Sequence, residues 1–202
     1  LYTLGALIAS GYYEFKGFDA GPVFSIFGYN EVEGLRLRLG GRTYFGQNDP
    51  WRIEGFGAYG FKDQKFKYGL SGKVLVSKKN RKILFGGYRK DIEQTGASLT
   101  NSKDVLGRNR ASSGLITVGA NDRLTSIELT TLGYQMEPAK NFVFRVLGSH
   151  RTLKSASETF SLSYYDENGN VKNSIKQSEL ELGINFTPGR KTSGYGVERR
   201  VI

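Results

Sequence analysis

An all-β chain, folded as an antiparallel transmembrane β-barrel or part of a larger one, is what three features of the sequence predict. The first is alternation. In Leu35–Thr43, leucines at 35, 37 and 39 interleave with Arg36 and Arg38. Successive side chains of a strand point to opposite faces, so this ribbon is apolar on one side and cationic on the other. A wall between lipid and water has that design. The second is the sorting of connections by length. Turns after every second strand (46–50, 78–82, 137–141, 188–194) are short, and the intervening set holds both long excursions, 93–123 and 154–174. Short periplasmic turns and long extracellular loops produce this sorting, whereas a soluble sandwich has no reason for it. The third is composition: Gly 27, Phe 13, Tyr 12 and only 4 Pro suit long hydrogen-bonded ladders with aromatic girdles. Mean hydropathy is −0.40 and no apolar run reaches the roughly 18 residues of a membrane helix. Barrel strands need only about 9–11 residues, apolar at alternate positions.

The elements follow in order. Residues 1–16 form a lead-in segment of uncertain structure, and 17–202 a wall of about eight strands and the start of a ninth. Gly17–Tyr29 reads as the first strand, with Phe18, Ala20, Pro22, Phe24 and Ile26 on one face; Pro22 marks a bulge or an edge. Asn30–Gly34 turns into Leu35–Phe45. Gly-Gln-Asn-Asp-Pro at 46–50 turns again by composition. Trp51–Phe61 and Phe66–Ser77 follow; in the latter Phe66, Tyr68, Leu70, Val74 and Val76 oppose Lys67, Ser71, Lys73 and Ser77. Ile83–Ile92 alternates more weakly. After the polar 93–123 excursion, in which Gly114–Val118 could carry part of a strand, come Leu124–Met136 and Phe142–Leu153. The 154–174 excursion centres on Asp166-Glu167-Asn168-Gly169, a hairpin signal between Tyr164-Tyr165 and Val171. Ile175–Phe186 is the eighth strand, and Tyr195 onward begins the ninth. The absence of an initiator Met and signal peptide, and a strand-like pattern running to Ile202, make a chain incomplete at both ends the expectation.

The alternation assigns faces. Glu33, Arg36, Arg38, Arg42, Arg52, Glu54, Lys67, Lys73, Arg145, Arg151, Glu179 and Glu181 fall on the lumen side, and both signs invite a salt-bridged network. An Arg or Lys facing lipid at the midplane would cost about 2–4 kcal/mol. Trp51, Tyr59, Phe66, Tyr68, Phe142, Phe144 and Phe186 fall on the lipid-facing or interfacial side. Glu33, Arg36, Arg38 and Arg42 are expected to join in one network that fixes register and supports a plug.

The remaining classes are narrowed by composition. Without Cys there are no disulfides, Cys-zinc sites or Cys nucleophiles. The one histidine, His150, lies on the apolar face near a strand end, while Ser149 points the other way, so no Ser-His dyad forms. No catalytic residue, metal site or cofactor is expected. Asp166-Glu167-Asn168 reads as a solvated loop before a calcium site. The net charge of +10 is spread over strands and turns, which argues against nucleic acid. It suits outer-membrane lipid and the phosphates of lipopolysaccharide. The function expected is a non-enzymatic outer-membrane protein, a scaffold or accessory in envelope transport or assembly that works with other envelope proteins. A pore for small anionic solutes and a soluble ligand-binding β-barrel are the alternatives.

Three motifs sharpen this. Asn30-Glu31-Val32-Glu33-Gly34-Leu35-Arg36-Leu37-Arg38-Leu39-Gly40-Gly41-Arg42-Thr43, Ala58–Gly69 and Asp91-Ile92-Glu93-Gln94-Thr95-Gly96 resemble the signature of a Bacteroidota outer-membrane β-barrel family of unknown function. The resemblance covers roughly residues 18–96 and continues only in style to Ser178–Arg190. It implies that a carboxypeptidase-regulatory-like β-sandwich precedes the barrel in the full protein, and that this chain is the first part of that barrel. It supplies no catalytic residues.

Overall fold

A computed structural model of the chain describes residues 11–44, 48–95, 105–106, 123–157 and 161–202. Leu1–Ser10, the 114–118 segment and most of the 93–123 excursion lie outside the described residues. Nearly all of the rest is one antiparallel sheet of ten strands. In chain order these are β1 (Tyr13–Phe15), β2 (Gly17–Ala20), β3 (Phe27–Asn30), β4 (Gly34–Tyr44), β5 (Trp51–Gly60), β6 (Phe66–Ser77), β7 (Lys82–Gln94), β8 (Leu124–Ala139) and β9 (Phe142–Ser155), then β12 (Ser174–Phe186). Two small hairpins stand apart from it: β10 (Tyr164–Tyr165) with β11 (Val171–Lys172), and β13 (Thr192–Ser193) with β14 (Arg200–Val201). From β4 to β12 each strand pairs with the next sheet strand in sequence, so the sheet is a meander. It is open: among the described residues no ladder joins β12 to the β1–β3 edge.

Two expectations are corrected. Gly17–Tyr29 is not one strand. Its path breaks after Ala20, a single 3-10 turn spans Val23–Ser25, and β3 resumes. β2 pairs with Gly41–Tyr44 and β3 with Gly34–Leu37, so the two pieces share one neighbour. Proline lacks the N–H a ladder needs, and the break falls at Pro22 on the sheet edge. Nor does Tyr195 begin a ninth wall strand. Residues 192–201 fold into the β13–β14 hairpin, and the segment between them packs on the sheet. β7 and β8 are longer than their patterns suggested. β7 takes in Glu93 and Gln94, and β8 reaches Ala139 through an irregularity after Met136.

The register sorts side chains onto two faces. Arg38, Ala58 and Lys67 lie in one row across β4, β5 and β6; Arg89, Leu129 and Arg151 lie in another across β7, β8 and β9. These belong to one face, and their residues are buried: Arg36, Arg38, Arg89 and Asp91 each expose 2% or less. The other face carries Leu39, Trp51, Ile53, Phe66, Tyr68, Leu70, Val74, Leu84, Leu132, Leu180, Leu182, Ile184 and Phe186, all exposed; Leu132 shows 71% of its surface and Leu180 70%. The usual order of a water-soluble sheet is inverted.

The apolar band crosses the strands obliquely. In β6 it starts at Phe66. In β12 it starts at Leu180, whose row runs through Gly148, Leu132 and Gly86 to Gly72, six residues past Phe66. At about 3.3 Å per residue and about 4.8 Å per strand, six residues over four strand steps is an inclination of about 45°. Beyond the band on the side of the two long excursions the same face turns polar, with Lys90 and Glu128 in one row and His150 beside Ser178.

Candidate functional site

The inner face is built from alternate residues, so its chemistry follows from local pattern plus register. Its centre sits where β4, β6 and β7 meet the turn before β4. Asn30 shapes that turn: its Oδ1 accepts from the backbone N–H groups of Val32 (3.1 Å) and Glu33 (2.7 Å), and its Nδ2 donates to Glu33 Oε2 (2.7 Å). An Asn side chain closing its own turn is common turn chemistry. Here it aims the Glu33 carboxylate inward. Glu33 pairs with Arg36 (3.0 Å) and with Lys67 (2.7 Å). Arg36 reaches on to Asp91 (2.8 Å), and Lys67 to Asp63 (2.6 Å). Two cations and three carboxylates thus form one connected, buried chain across three strands and two turns. Burial works against the charged form of Glu33, but Arg36, Lys67 and the Asn30 amide outweigh it and hold its pKa below the usual carboxylate range.

Five further groups share the face. Arg89 pairs with Glu93 (2.5 Å), Arg52 with Glu54 (2.7 Å), and Arg151 with Glu179. Arg42 binds Asp19 (2.9 Å) and stacks on the Tyr12 ring at 3.7 Å. Arg38 stacks on Phe56 at 3.8 Å and donates to the Leu106 carbonyl (3.2 Å). The expected single network of Glu33, Arg36, Arg38 and Arg42 is therefore divided. Glu33 and Arg36 meet, while Arg38 turns to Phe56 and Leu106 and Arg42 to Asp19 and Tyr12, because residues two apart on one face of an extended strand are drawn to different neighbours along its length.

Two segments return over this face. Leu106, from the β7–β8 excursion, packs with Phe56 and Ala58. Val197 packs on Leu75 and Ile83. The stretch around Val197 is pinned at several points. Arg81 donates to the carbonyls of Gly196 (2.6 Å) and Val197 (3.2 Å), Lys73 pairs with Glu198 (2.9 Å), and Arg199 pairs with Glu137. Between Leu106, Val197 and the sheet lies a cavity of about 200 Å³.

The residues expected in the lumen network all fall on this side of the sheet or in the turn that feeds it, but they differ in burial. Glu33, Arg36, Arg38, Glu54, Lys67 and Arg151 are buried, and Arg42, Arg52, Arg145 and Glu181 partly so. The side chains of Lys73 and Glu179 are 45% and 52% exposed. On the other face, Trp51, Phe66, Tyr68 and Phe186 are exposed, while Tyr59, Phe142 and Phe144 are half-buried. Tyr59 stacks against Phe61 and Phe66, at 5.4 and 4.8 Å between centroids. His150 bonds Ser178 across β12, 2.9 Å apart, on the apolar side.

Sequence reasoning missed Asn30, Asp63, Arg89, Asp91 and Glu93. Arg89, Asp91 and Glu93 had a signal: charges at every second position, as in 36 and 38. Asn30 and Asp63 had none, because turn residues lie outside the two-residue period. Among the described residues no group of three or more His, Asp or Glu is placed to hold a metal. No family model, curated protein or solved structure matches the chain.

Proposed function

We propose that this chain forms wall of a transmembrane β-barrel in a Gram-negative outer membrane, of the Bacteroidota family its motifs resemble. Its role is a non-enzymatic scaffold or accessory in envelope transport or assembly, alongside other envelope proteins. The observation that carries this is the inverted packing. Arginines and acids are buried together on one face while leucines, valines and aromatics form a continuous band on the other. Monomeric proteins in water rarely leave such a band uncovered, since apolar surface costs about 25 cal/mol per Å² to hydrate. Lipid removes that cost. The inclination of about 45° between band and strands agrees with the tilt of about 35–45° that strands of membrane barrels adopt. The polar rim carrying Lys90, Lys154 and Lys176 would then meet the phosphates of lipopolysaccharide.

Scaffold is favoured over pore by what occupies the inner face. Its cations are mostly paired, and Leu106 and Val197 lie across it. The test is refolding from urea into detergent micelles and lipid vesicles, followed by planar-bilayer recording. Heat-modifiable gel migration, protection from protease in vesicles and little conductance are the expected results. A soluble, detergent-independent monomer would overturn the membrane assignment, and a stable, anion-selective conductance would replace the scaffold with a pore.

A further inference from the structure

We infer that the cavity on the inner face is a binding site for a small organic anion, one carboxylate on a compact apolar body, with Arg145 as its anchor. Arg145 differs from the other cations of this face. Its guanidinium stacks on the Phe85 ring, 4.7 Å from the centroid, and no described carboxylate pairs with it. Its Nε is buried with no hydrogen-bond partner, as are those of Arg36 and Arg89, but those two guanidiniums each reach a carboxylate through another nitrogen. A guanidinium presents a planar fork of donors matched to a carboxylate, and leaving buried donors unmet is unfavourable.

The surroundings hold this group in place. Phe85 lies flat because its neighbour across β8 is Gly133: a Cβ there would stand 2.3 Å from the ring. Arg145 sits between Gln135 on β8 and Gly183 on β12. The cavity it lines is walled by Ile83, Phe85, Leu106 and Val197 on the apolar side and by Ser71 and Gln135 on the polar side. The charged groups that share the wall are already matched, Glu54 to Arg52 and Glu198 to Lys73. The cavity of about 200 Å³ compares with the roughly 150 Å³ that admits benzene in an engineered core. A benzene ring bearing one carboxylate fits that volume and places its charge against Arg145. The cavity continues into a larger groove through Gln135, Arg145, Val197 and Glu198, which gives the ligand a way in.

The site does not depend on insertion into lipid, so its fate is separable from that of the membrane assignment. The experiment is titration of the refolded full chain in detergent with benzoate and with benzyl alcohol, its uncharged counterpart. Binding is followed by calorimetry and by the Arg145 Nε–Hε resonance, which needs no variant. Saturable benzoate binding that shifts this resonance, at least tenfold weaker binding of benzyl alcohol, and at least tenfold weaker benzoate binding by Arg145→Gln are expected. Phe85→Leu, which keeps the charge and removes the stacking surface, should also weaken benzoate. Absence of saturable benzoate binding, equal binding of both probes, or a benzoate complex that leaves the Arg145 resonance unmoved would overturn the assignment.

Discussion

Single side chains decide how firmly the inner face is held. Arg36 is the hub between Glu33 and Asp91. Replacing it with Leu takes the described ion-pair partner from buried Asp91 and leaves Glu33 to Lys67 and Asn30, and breaking a buried pair by removing one partner costs about 3–5 kcal/mol. Urea unfolding of Arg36→Leu should show a loss of that order, together with lost heat-modifiable migration; an unchanged midpoint would mean the network does not support the fold. Glu33 adds a pH dependence whose sign is determined. Its folded pKa is depressed, so its stabilisation is complete above the unfolded value of about 4.3 and disappears as pH falls through the lower folded value. Urea midpoints measured from pH 7 down to 2 should fall in that acid range, and Glu33→Gln should flatten the fall.

At the scale of elements, the ladders depend on a few places where a side chain is missing. Gly133 lets Phe85 lie across β8, and Gly41 lets Phe18 lie across β4, where a Cβ would stand 2.2 Å from its ring. Gly133→Val therefore has to move Phe85 or bend the strand. A loss of about 1–3 kcal/mol, the usual cost of overpacking, is expected in urea unfolding. Unchanged stability would show that Phe85 is free to leave. Arg145 would lose its stacking surface in the same variant, so benzoate binding should fall with it. The broken edge of β2 and β3 belongs to this scale too. Pro22 removes a donor at the sheet's margin, where the loss leaves one neighbouring strand rather than two short of a bond.

For the whole molecule, the decisive quantity is which solvent faces the apolar band. Leu182 stands inside it, between Leu180 and Ile184 on the outward side of β12. In lipid, Leu182→Arg should lower folding stability in vesicles by about 2–4 kcal/mol. In water the same change on an exposed position should stay within about 0.5 kcal/mol. Vesicle-folding titrations of the two proteins measure the difference, and a value near zero would remove lipid from that face. The inward path of 194–199 acts at this scale as well. It joins β5, β6 and the β6–β7 and β8–β9 ends through Arg52, Lys73, Arg81 and Glu137, so it ties distant parts of one face together.

Period-two alternation by itself determined the strand class and the shared face of the charged residues it singled out, such as Arg36, Arg38, Lys67 and Arg151. A two-residue repeat leaves no freedom in which way a side chain points once the strand exists, and short turns between antiparallel strands leave little freedom in which strands are neighbours. Partnership was decided only by the tertiary structure. That Arg36 met Asp91 depended on register between strands far apart in sequence. The inward fold of Leu106 and Val197, the division of Gly17–Tyr29 and the recruitment of Asn30 and Asp63 depended on where irregular segments could satisfy their backbone. None of these obeys a period, so no pattern along the chain records them.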